Sequence, residues 1–144
     1  MSMVGIGGTV PVDVRDADAA VNALTDALVR LEVEVRRVTV REIGFRVPFI
    51  RMRMGPLDPF TYLDVGQIVV EAGEIRYRAG LVRAVAKTIL IWSALTVFAF
   101  FLGGPIDHFL AGAFALSSVV TLVWIYLYAA AALPRFIRKT IRED

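Results

Sequence analysis

Two stretches of this chain carry no charged side chain, residues 88–106 and 109–134. Each is long enough to cross a hydrocarbon core of about 30 Å as a helix. Within lipid a backbone must satisfy its own hydrogen bonds, and for two such segments in series the helical hairpin is the form that does so. The chain therefore reads as a small membrane protein, and the residues before 83 are all that remain for a soluble module. A composition of 57% hydrophobic residues and a mean hydropathy of +0.64 also argue against an ordinary soluble domain.

The charges follow the same plan. Residues 1–82 hold ten Arg against eleven Asp and Glu, and the basic excess of the chain comes from Arg83, Lys87, Arg135, Arg138, Lys139 and Arg142, which flank the apolar stretches. Cations at the ends of spans anchor and orient a membrane protein. They leave no net basic domain to follow a phosphate backbone, so nucleic acid is not an expected partner. Both outer ends of the hairpin are cationic and the connection Gly103-Gly104-Pro105-Ile106-Asp107-His108 has no Lys or Arg. The positive-inside rule then puts both termini in the cytoplasm, with a bacterial inner membrane as the expected location. The arginine-rich, lysine-poor composition suits a prokaryote.

The spans are expected at about 84–102 and 109–133, with Pro134 as a stop, within a hairpin unit of residues 83–134 and before a basic tail of 135–144. Arg83, Lys87, Trp92, Trp124, Tyr126, Tyr128, Arg135, Arg138 and Lys139 are the expected anchors, the cations by snorkelling and the aromatic rings by sitting at the interface. In the tail, Phe136, Ile137 and Ile141 among the cations suit a short interfacial helix. Gly112, Ala115, Ser118 and Thr121, opposite Ser93, Ala94 and Thr96, are small enough for close packing of the hairpin on itself. The middle of neither span carries an ionisable group, which disfavours a pump or an ion channel.

Residues 1–12 read as a flexible leader, and the first residues show neither a signal peptide nor, with Ser2, a myristoylation site. Gly5-Ile6-Gly7-Gly8-Thr9 lacks the strand, the Lys and the helix start that a phosphate loop needs. Residues 13–82 read as a cytoplasmic module. Ala17, Ala20, Val21, Leu24, Ala27, Leu28 and Leu31 recur at helical spacing, with Asp13 or Asp16 to cap the helix. After Leu31 the period becomes two, with slips near Arg36-Arg37 and Arg41-Glu42 that suggest bulges or a break. Ile50, Met52 and Met54 alternate with Arg51 and Arg53, and residues 62–70 and 74–79 form a hairpin around Ala72-Gly73. The expected fold is α+β, one amphipathic helix on about four antiparallel strands, followed by the two-helix hairpin. A module this small buries too little surface to be robust alone and is expected to lean on the membrane, a second copy or a partner.

Candidate chemistry is sparse. Without cysteine there is no thiolate or disulfide, and His108, the single histidine, cannot build a metal site or a supported triad. Asp58, Asp64, Glu71 and Glu74 sit around turns and do not converge on a substrate, so no catalytic residue, metal or cofactor is expected. The cluster Arg37, Arg41, Arg46, Arg51 and Arg53 reads either as a solvated strand face paired with acids or as a grip for an anionic ligand, a lipid headgroup or an acidic partner. The leading functional expectation is a non-enzymatic accessory or scaffold subunit that contacts a protein partner or itself. A sensor of anionic lipid or of a phosphorylated ligand, and a small hydrophobic-substrate pore, are the alternatives.

Overall fold

A computed structural model describes residues 5–12, 16–48, 58, 60–101 and 107–143. Five strands, β1 (Gly5–Pro11), β2 (Glu34–Thr39), β3 (Glu42–Arg46), β4 (Val65–Glu71) and β5 (Glu74–Gly80), form one antiparallel sheet in the order β1-β5-β4-β3-β2. Helix α1 (Ala17–Arg30) follows β1, and α2 (Val82–Phe101) and α3 (Asp107–Glu143) follow the sheet. The α+β architecture with a helical hairpin matches the expectation from the sequence. Both α2 and α3 are long and apolar enough to cross a membrane.

One expected element is different in kind. Residues 5–11 are not a flexible leader but the edge strand β1, whose whole length pairs with β5. Its glycines hide the alternation, but Ile6 and Val10 point inward and are buried, and Val12 donates to the carbonyl of Gly73. The run Ile50 to Met54, with Arg51 and Arg53, lies outside the described residues.

Elsewhere the local chemistry explains the elements. The Asp16 carboxylate accepts from the N–H groups of Asp18 and Ala19 and starts α1, satisfying donors that the first turn leaves unpaired. The helix ends at Leu31, and Glu32 follows with φ of 57°, a left-handed position usually given to glycine. The two-residue turn Ala72-Gly73 closes β4 on β5, with Gly73 at φ +84°. Glu71 and Glu74 face each other across this turn, and Arg76 bridges both at 3.4 and 2.8 Å. That double contact raises the Arg76 pKa, chiefly through its hydrogen bond to Glu74. The expected slips fall at a bulge between Arg37 and Thr39 and at the β2–β3 turn.

The core lies on one face of the sheet. Ile43, Phe45, Ile68, Val70 and Ile75 meet Val21, Leu24 and Leu28 of α1. The same layer contains Ile125, Ala129, Leu133 and Ile137 of α3, a stripe at four-residue intervals with exposures of 4%, 0%, 0% and 0%. Helix α3 is 37 residues long, about 55 Å at about 1.5 Å per residue. Its first half pairs with α2, and its second half lies beside α1 over β1.

Pro134 therefore does not stop the second helix. A proline inside a helix costs about 3 kcal/mol. Full burial of Leu133 and Ile137 on either side offsets this, at about 1.5–3 kcal/mol for each such side chain. The tail is likewise no separate interfacial helix. Ile137 is buried, and Phe136 and Ile141 pack against the same core.

Candidate functional site

Among the described residues, polar side chains meet a cavity at the root of α2 and a trough on the open face of the sheet. The first is the junction between module and hairpin. Only Leu81 separates β5 from α2, and it is buried. The first turn of α2 has no side-chain cap of its own. Asp64, 19 residues earlier, supplies one: its Oδ2 accepts from the Arg83 backbone N–H at 2.6 Å. An acid placed at a helix N-terminus satisfies an orphan donor and faces the positive end of the helix dipole.

Arg83 completes the clamp. Its guanidinium donates to the Val47 carbonyl at 3.1 Å and lies 3.9 Å from Asp64 Oδ1. The Asp64 backbone donates to Gly80 O and accepts from Val47 N, so one residue ties the ends of β3, β4 and β5 to the root of α2. Asp64 is only 7% exposed. Residues 60–64 are themselves wedged into place, because Phe60 meets Phe45 and Phe136 edge-on at 5.5 and 5.2 Å and Tyr62 meets Tyr128 at 5.6 Å. A cavity of about 270 Å³ beside the clamp is lined by Val47, Phe60, Leu63, Asp64, Lys87 and Ile125, among others.

The second place is the sheet face away from the helices. Gly7, Arg78, Gln67, Gly44 and Arg36 form one cross-strand row over all five strands; beyond it Gly5 pairs with Gly80, and Val65 with Arg46, itself paired with Glu34. Four glycines thus floor a shallow trough of about 730 Å³, with Val38, Val65, Gln67 and Arg78 on its walls. Gln67 donates to Glu42. Arg36, Arg46 and Arg78 have no acidic partner among the described residues.

The expected anion cluster is only partly placed. Arg46 is exposed on the trough face, Arg41 is exposed in the β2–β3 turn, and Arg37 lies in β2 opposite Ile43. Arg78, from another strand and outside the arginine-rich run of the sequence, joins Arg36 and Arg46 on this face. The acids Glu71, Glu74 and Asp64 pair with Arg76 and Arg83 rather than with the cluster.

In the hairpin, Trp92 meets Phe114 at 6.0 Å and Phe100 meets His108 at 5.6 Å. Thr88 and Ala99 are the buried residues of α2. Ser118 and Thr121 are half-buried, and the Thr121 hydroxyl donates to Ser117 O. Gly112 and Ala115 are exposed, and among the described residues a side chain at 112 would meet open space rather than another element. Close packing of α2 therefore does not rest on those two, nor on the exposed Ser93 and Ala94. Among the expected anchors, Lys87, Trp124, Tyr126, Arg135, Arg138 and Lys139 are exposed, while Arg83 and Tyr128 are drawn partly into the structure. Trp124 stacks on Tyr128 at 6.4 Å.

The fold and junction define a class: a small antiparallel α+β module whose core is shared with the second helix of an apolar hairpin. Comparison with protein-family models, curated proteins and solved structures found no match. Among the described residues no group of three His, Asp or Glu side chains could hold a metal ion.

The Asp64 contact left no trace in the sequence. An acid beside a turn looks the same whether it faces water or a helix N-terminus, and its partner lies in another element.

Proposed function

We propose that this chain is a non-enzymatic accessory or scaffold subunit of a bacterial inner-membrane complex, inserted through α2 and α3 with both termini in the cytoplasm. Its module would be held at a set angle to the bilayer so that the trough face meets a cytoplasmic protein. The observation that carries this reading is the shared core: Ile125, Ala129, Leu133 and Ile137 belong to a hairpin helix and to the module at once. A module built this way, and clamped again at Asp64, cannot swing like a tethered domain. Rigid presentation is useful to a structural subunit and of little use to a flexible recruiter.

The test is a photo-crosslinking residue at Gln67 in the full chain, in its native membrane, followed by identification of the captured protein. A defined neighbour supports the proposal. A strictly monomeric protein in mild detergent that captures nothing at this face would end it.

A second reading is supported by Arg36, Arg46 and Arg78, which have no acidic partner among the described residues and surround a glycine floor; this suits a phosphorylated or otherwise anionic ligand because the guanidinium fork matches such groups. Calorimetric titration with inorganic pyrophosphate checks it. Binding that disappears in Arg78→Glu supports the reading, and no binding by the wild-type chain removes it.

A further inference from the structure

The outward face of α3 changes character once along its length. Val120, Trp124, Leu127 and Ala131 succeed one another at three- and four-residue intervals and are all exposed. On the following turns the same face carries Arg135, Arg138 and Arg142, with Lys139 beside them, and the four line one open recess. Arg135, Arg138 and Arg142 have no acidic partner among the described residues. An apolar strip that passes directly into a cationic one is the pattern of a surface half in lipid and half on headgroups.

The two helices mark the edge of the apolar layer at different heights. On α2 the cations are Arg83 and Lys87, and the ring contacts Trp92–Phe114 and Phe100–His108 set Arg83 level with the region of Trp124. On α3 the first cation is Arg135, ~16 Å farther along at about 1.5 Å per residue. A hairpin standing upright would either leave Leu127 and Ala131 in water or draw Arg83 and Lys87 into hydrocarbon. The outer sides of two packed helices lie about 20 Å apart, so an ordinary tilt of about 20–40° lowers one side by about 7–13 Å. The headgroup layer, about 5–7 Å deep on each side, covers the remainder.

We propose that the hairpin tilts toward α3, with Trp124, Leu127 and Ala131 in the bilayer interface and Arg135, Arg138, Lys139 and Arg142 on the phosphates of anionic lipids. This rests on the membrane insertion proposed above. Because the opposite side of α3 is part of the module core, the tilt lays the β1 flank of the sheet against the membrane and leaves the β2 edge in the cytoplasm. Anionic lipid thereby sets which edge of the module a partner can reach.

The chain has no cysteine, so single spin labels can be placed cleanly at Phe98→Cys, Ala131→Cys and Thr39→Cys in the full chain. The labels are compared for access to oxygen and to a water-soluble nickel chelate, in vesicles of phosphatidylcholine with phosphatidylglycerol and in phosphatidylcholine alone. The expected result is a lipid reading at 98, a water reading at 39 and an interface reading at 131 in anionic vesicles. The reading at 131 should move toward water in neutral vesicles, and also when Arg135, Arg138, Lys139 and Arg142 are all changed to Gln. A label at 131 as wet as the one at 39 in anionic vesicles, or shielded from both probes by protein, overturns the tilt while 98 still reads as lipid. A water reading at 98 refutes insertion itself.

Discussion

Replacing Asp64 by alanine removes the side chain that caps the first turn of α2 and leaves the backbone bonds of residue 64 to Val47 and Gly80 in place. Its 2.6 Å bond to the Arg83 N–H is short and charge-assisted, a type worth about 1.5–3 kcal/mol when a buried partner is left behind. Helix caps lost to alanine cost about 0.5–2 kcal/mol, and here the cap and the bond are the same contact, so the two figures do not add. The ion pair at 3.9 Å involves a guanidinium 36% exposed, and solvent screening reduces its share to a few tenths of a kcal/mol at most. The expected loss is about 2 kcal/mol for Asp64→Ala. Asp64→Asn, which keeps an acceptor oxygen but not the charge, should lose about half as much. Guanidinium unfolding of the purified chain in nanodiscs measures both. Paired spin labels at Val38→Cys and Ser93→Cys read the geometry, since one residue is in the module, the other is in α2, and both are exposed. The label-to-label distance distribution should broaden in Asp64→Ala as the module loosens from the helix. An Asp64→Ala protein within about 0.5 kcal/mol of wild type, with an unchanged distance distribution, would refute the clamp.

Leu133→Ala should destabilise the module by about 3 kcal/mol, as deletion of a fully buried leucine does, whereas Val123→Ala, at 52% exposure on the same helix, should change little; equal effects in parallel melts would contradict the shared core. Gly66→Ala places a Cβ against the Phe45 ring and the Arg78 carbonyl, so a loss of about 1–3 kcal/mol from overpacking is expected, read as a lower unfolding midpoint. Glu32→Gly relieves the left-handed backbone after α1 and should stabilise by up to about 1 kcal/mol; a decrease in stability would mean that the Glu32 side chain contributes more than its backbone costs.

The reach of the sequence differs from element to element. Helix α1 was legible because its apolar spacing, its Asp16 cap and its burial all agree. The β4–β5 hairpin was legible because Ala72-Gly73 interrupts two alternating runs and only a tight turn satisfies both. Strand β1 was hidden, since glycine carries no hydropathy and three of its seven residues are glycine; pairing with β5, far along the chain, makes it a strand. Among the arginines, spacing located a cluster but not its face, because the bulge between Arg37 and Thr39 changes which side chains share a side. Arg78 belongs with Arg46 through two strand pairings that sequence proximity does not reveal.

By itself the sequence determined the classes of structure: two apolar helices in series, flanked by cations, behind a module that changes from helical period to strand period. These follow from local spacing and from solvent preference, which each residue carries with it. Only the tertiary structure decided how the two parts are joined. Ile125, Ala129, Leu133 and Ile137 have the same affinity for a protein core as for lipid, so an apolar run cannot announce which of the two will cover it. Asp64 is as polar at a helix N-terminus as in water. Both assignments depend on what lies opposite once the chain has closed on itself, and the union of hairpin and module is settled there.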